Sequence, residues 1–193
     1  MISLPFRRPR QTPNIAALYG MIVAQARSPA FYLGYGVPDT VAGRLDMILL
    51  HLVLLLRQMT KNHGKDRGKD RGKTHGAVPP AGQQLFDRFC QDIDDNFREM
   101  GVGDLAVPKE MQRVAEAFYG RAKAYERALA DDSPAALEAA VARNVYGVTE
   151  PPLGARRLAA YMREASRRLD EQAVNSLARG ELDFPDPEAV ASR

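Results

Sequence analysis

Residues 47–56 read MILLHLVLLL, and this run decides the fold. A helix that is apolar on every side has to be buried on every side. The run is too short to cross a bilayer, which takes about 20 apolar residues. His51 interrupts it, and Arg44, Asp46 and Arg57 flank it. The reading is therefore a helix enclosed by other helices. Asp39 and Thr40 can cap it, and it runs to about Thr60, with Leu45, Ile48, Leu49, Leu52, Leu55, Leu56 and Met59 on a broad apolar face. A second reading stays open, in which such a helix is exposed on demand to grip an apolar client.

Upstream, residues 27–40 form a connection dense in aromatics and glycines: Phe31, Tyr32, Gly34, Tyr35 and Gly36. Connections are ordinarily polar because their backbone faces water. An aromatic one either folds back onto a core or offers a surface to a partner. Before it, Thr12-Pro13 resembles a cap followed by proline, and Ile15, Leu18, Ile22 and Ala26 recur at helical spacing to about Arg27.

Downstream, KNHGKDRGKDRGKTHGAVPPAG at 61–82 contains a tandem GKDR repeat. It has little to bury, so it is expected to lack order. Leu85, Phe86, Phe89, Ile93, Phe97 and Met100 then mark a third helix from about Pro80 to Met100, stopped by Gly101-Val102-Gly103. Pro108 opens a fourth to about Ala130, Ser133-Pro134 a fifth to about Tyr146, and a last helix covers about Pro152 to Ala178. No stretch shows strand alternation with turn pairing. The expected fold is all-α, a single compact bundle of about six helices. A basic arm at 1–11 precedes a helical domain at 12–180, the loop at 61–79 lies inside that domain, and a tail at 181–193 buries little beyond Leu182 and Phe184.

Net charge is +3, but the stretch Lys61–His75 contributes +4 and Arg7, Arg8 and Arg10 another +3, which leaves the rest at −4. A mildly acidic body with basic flexible segments is not a basic nucleic-acid groove. Such segments suit weak, salt-sensitive contact with phosphates of RNA, a ribosome or anionic lipid. The single cysteine, Cys90, excludes an internal disulfide and a cysteine-based zinc cage, and its spacing from Leu85, Phe86 and Phe89 reads as a packing thiol. The basic opening is followed by proline and polar residues, so no export signal is expected.

No glycine-rich loop follows a strand, and no His-Glu-x-x-His or Glu-x-x-His pair occurs. His51, His63 and His75 lie in unlike settings, and Asp92, Asp94 and Asp95 read as a solvated helix face. Neither a cofactor nor a metal is expected, and an enzyme is the weaker reading.

Three stretches together resemble the ubiquinol–cytochrome c chaperone family: LYGMIVAQARSPAFYLGYGVPDTVAGRLDM at 18–47, the region 86–127 with NFREMGVGDLAVPKEMQRVAEAFYGRAKAYER, and ARNVYG at 142–147. They look like those of a compact bacterial-type member without a long presequence. The GKDR segment is not part of the resemblance. The resemblance implies a helical, non-catalytic assembly factor for respiratory complex III. It implies binding of nascent or immature cytochrome b, work near the ribosome exit site, a second assembly factor, and a cytoplasmic location with peripheral contact at the inner membrane. Such a holder needs an apolar or aromatic groove. The candidates are Phe31, Tyr32, Tyr35, Val37, Phe118 and Tyr119, with Arg44, Arg121 and Lys123 meeting polar parts of the client. The two stretches are expected to converge. The alternative is a ribosome- or RNA-binding adaptor acting through the basic arm and loop.

Overall fold

A computed structural model describes residues 14–66, 79–172, 176–177 and 179–191. The basic arm, Thr12-Pro13 and residues 67–78 of the GKDR segment lie outside these. Every regular element among the described residues is helical: α1 Ile15–Ala26, α2 Pro29–Leu33, α3 Val41–Asp66, α4 Pro80–Glu99, α5 Val107–Ala130, α6 Pro134–Val141, a π-turn Ala142–Tyr146, α7 Leu153–Glu171 and α8 Pro187–Ala191.

The axis of the bundle is α3. Every residue from Met47 to Leu56 is buried, and α1, α4, α5 and α7 all pack against this helix. Where its face turns polar, Gln58 donates to the Leu169 carbonyl (2.6 Å) and Arg57 to Ser166 Oγ (2.8 Å). Thr40 caps α3, its hydroxyl accepting from the Gly43 amide (3.1 Å). The helix does not stop near Thr60, because residues 61–66 of the stretch expected to lack order continue it. Lys61 pairs there with Asp170 of α7 at 2.7 Å, a tertiary anchor that local composition cannot reveal.

The other helix ends follow their punctuation. Asn14 caps α1 by accepting from the Ala17 amide (3.1 Å). After α4, the Val102 amide reaches back to the Phe97 carbonyl and the Gly101 amide to that of Arg98, the Schellman closure. Pro108 stands in the first turn of α5. The fifth helix is regular only to Val141, then widens into the π-turn and ends at Gly147 with φ 67°. That angle suits glycine, which carries no Cβ penalty there.

The aromatic connection folds inward. Pro29 starts α2, a five-residue helix that buries Ala30 and Phe31, and Tyr35 and Val37 follow them into the core. Its backbone is satisfied locally: the Gly34 amide bonds the Ala30 carbonyl (2.7 Å) and the Val37 amide that of Phe31 (3.0 Å). Burying a Phe side chain contributes roughly 1.5–3 kcal/mol, enough to hold a short helix that could not stand alone.

Candidate functional site

Phe31 is the hub of a buried aromatic cluster. Its ring lies 4.9 Å from that of Tyr161, 5.4 Å from Tyr35 and 5.6 Å from His51, and Phe184 closes the far side at 5.0 Å from His51. Most of these pairs are edge-to-face, the arrangement ring quadrupoles favour. A polar thread runs through the cluster. His51 Nδ1 sits 2.7 Å from the Met47 carbonyl, which can only accept, so Nδ1 carries the proton. Nε2 is then an acceptor, and the Tyr161 hydroxyl donates to it at 2.9 Å. The Tyr161 oxygen accepts in turn from Gln25 Nε2 (2.9 Å). Burial pushes the imidazole down to about 4, only partly opposed by the bond to Met47, so His51 is neutral at neutral pH.

The C-terminal segment lies over this cluster. Tyr35 donates to the Pro187 carbonyl (2.7 Å) and Gln25 to that of Pro185 (3.0 Å). Burial raises the Tyr35 hydroxyl to about 12, which keeps it a donor throughout the physiological range.

The three stretches that carry the family resemblance meet in a second polar knot. Tyr146, at the end of the π-turn, donates to the Tyr35 carbonyl (2.8 Å). Arg121 of α5 pairs with Asp46 of α3 at 2.7 Å and donates to the Asn144 carbonyl in the π-turn (3.2 Å). That bond ties the π-turn to α5. Burial raises Asp46 to about 6, with Arg121 pulling the other way. Close by, α7 approaches the aromatic connection so tightly that a Cβ on Gly154 would fall well inside 3.0 Å of the Tyr35 carbonyl oxygen. Glycine is required there for space.

The proposed contact residues therefore divide. Phe31, Tyr35, Val37 and Phe118 are buried core residues, so they shape the fold rather than face a partner. Arg121 is half-buried and held by Asp46. At the surface, Arg44 pairs with Asp39 (2.7 Å) and lies 5.6 Å above the Tyr32 ring. Tyr119 is 63% exposed and leans on Phe86 and Phe118, with centroids 6.2 and 5.3 Å away. Lys123 is exposed. The structure does not bring Phe31 and Tyr119 together. The first belongs to the cluster with Tyr35, His51, Tyr161 and Phe184, the second to one with Phe86, Phe89 and Phe118, and the two share no ring.

Sequence reasoning does not single out Leu33, 87% exposed at the end of α2, or Leu153, 63% exposed at the start of α7. Leu33 sits inside the quoted aromatic stretch, so its signal is present. Leu153 has none beyond following two prolines. Gln25 and Tyr161 also escape it, since these partners lie 136 residues apart in the chain. Among the described residues no group of His, Cys, Asp or Glu is arranged to hold a metal ion.

The quoted motifs interlock in the core of an α-bundle while part of each stays in water, which defines an all-α scaffold. Residues 34–184 match the family model described as Ubiquinol-cytochrome C chaperone, and the chain belongs to that family. Its structure is similar to one described as the crystal structure of the Cbp3 homolog from Brucella abortus, with 35% sequence identity, 90% of each chain covered and a TM-score of 0.73. No curated protein matches the chain. Chaperone membership implies a role without chemical turnover. Among the described residues no helix is long and apolar enough to cross a membrane.

Proposed function

We propose that this chain is an assembly factor that holds newly made cytochrome b on the way to the ubiquinol–cytochrome c reductase. The observation that carries this is the family match over 34–184, which takes in most of the three quoted stretches. The client surface is the part of those stretches that reaches water: Leu33, Tyr119 and the cations Arg44 and Lys123, with Tyr32 half-buried beneath Arg44. Exposed Leu and Tyr side chains add little to a fold's stability but can cover an apolar segment reversibly. Phe31, Tyr35, Val37, Phe118 and Arg121 act behind that surface, fixing the elements that present it. Work at the cytoplasmic face of the inner membrane, beside the ribosome exit and with a second assembly factor, fits such a client.

The test is co-purification of cytochrome b with the tagged chain from growing cells, beside Leu33→Ser and Tyr119→Ser variants. Cytochrome b accompanies the unaltered chain and falls several-fold with the variants while their helical content and melting temperature stay unchanged. If the unaltered chain brings down no cytochrome b, and complex III accumulates normally without it, the reading fails.

A further inference from the structure

A groove of about 390 Å³ runs between the C-terminal half of α3, the end of α5 and α7. Its two acids are already engaged: Asp170 pairs with Lys61 and Glu171 with Arg167, each at 2.7 Å. Two further cations on its wall are anchored by neutral groups instead. Arg57 Nη1 donates to Ser166 Oγ (2.8 Å). Arg163 Nη2 donates to the carbonyls of Asp131 (3.1 Å) and Ser133 (2.8 Å), at the turn between α5 and α6. These bonds fix both guanidinium groups in place, neither forms an ion pair among the described residues, and both side chains are half-buried. Partly desolvating a cation without a counter-charge costs free energy unless a ligand supplies one.

From this we infer that the groove binds a phosphate group. A guanidinium offers five N–H donors in a planar fork, and one fork suffices for a planar carboxylate. Here two forks on different helices face one groove. Ser166 Oγ accepts from Arg57 and keeps its own proton to donate. Two guanidinium groups and a hydroxyl lining one groove suit a tetrahedral oxyanion. Arg57, Arg163 and Ser166 all lie outside the three stretches that carry the family resemblance, so none of them belongs to the proposed client surface and the test does not depend on cytochrome b. The phosphate belongs either to a soluble phosphate compound or to a lipid headgroup.

The experiment uses the purified full chain and its Arg163→Gln and Ser166→Ala variants, with Arg57→Lys as a charge-keeping control, each first shown to have unchanged helical content. Inorganic phosphate is titrated at ionic strength held constant with chloride, and binding is followed by calorimetry. Sedimentation with phosphatidylglycerol vesicles, against phosphatidylcholine vesicles, gives the second arm. Saturable phosphate binding weakened about tenfold or more by Arg163→Gln, less by Ser166→Ala and least by Arg57→Lys, supports the site. If the variants leave vesicle binding unaltered in that case, the ligand is a soluble phosphate compound. Phosphatidylglycerol binding that free phosphate competes away and Arg163→Gln abolishes assigns the site to a headgroup. Absence of saturable binding in both arms, or binding indifferent to Arg163→Gln, overturns the inference.

Discussion

Replacing His51 by glutamine should make the stability gap between the two proteins depend on pH in a defined way. In the folded chain burial pushes the imidazole from its ordinary 6.5 down to about 4. Unfolded, it returns to about 6.5. Between those values the unfolded chain binds a proton that the folded chain refuses, so the folded state loses stability as pH falls from 6.5 toward 4. Each pH step in that window is worth about 1.4 kcal/mol, and at pH 4 the loss comes to about 3 kcal/mol. A glutamine side chain at this position can donate to the Met47 carbonyl and accept from Tyr161, replacing both bonds, yet it has no proton to gain. Other titrating groups are common to both proteins and cancel in the difference. Urea unfolding of each, from pH 7 to pH 4, should therefore show the gap moving by about 3 kcal/mol in favour of the His51→Gln variant. A gap that stays constant with pH would refute the reasoning, as would a His51 resonance titrating near 6.5 in the folded protein.

Asp46 behaves in the opposite sense. Raised by burial from 3.8 to about 6, its carboxyl contributes stability below about pH 4 that is lost as pH rises to about 6. Carbon NMR should find it titrating near 6, and higher still in an Arg121→Met variant that removes the opposing cation. Gly154→Ala forces a Cβ against the Tyr35 carbonyl and should cost about 1–3 kcal/mol in urea unfolding, as overpacked sites do. Tyr35→Phe removes the bond to the Pro187 carbonyl and should cost about 1 kcal/mol. Amide exchange at Val190 in α8 should then quicken while α3 stays protected.

The apolar run at 47–56 made the architecture legible, because a helix apolar on every side is ordinarily buried on every side in water. Prolines, glycines and helical spacing placed most of the other elements to within a few residues. What stayed hidden was set by distant partners. The aromatic connection had two physical solutions, and the inward one is selected by Tyr161 and Phe184, more than 120 residues away in the chain. Arg121 read as a surface cation because Asp46 stands 75 residues upstream. Where α3 runs on past residue 60, Lys61 meets Asp170, 109 residues further along the chain. The π-turn leaves no mark in a pattern of apolar spacing.

The most direct test of the account places a photoreactive amino acid at position 119, where the side chain is in water, in living cells, and identifies the crosslinked products by mass spectrometry. The account predicts crosslinks to immature cytochrome b that disappear when its synthesis is stopped. Crosslinks to ribosomal proteins or RNA alone, with complex III at its normal level in a strain lacking the chain, would contradict it.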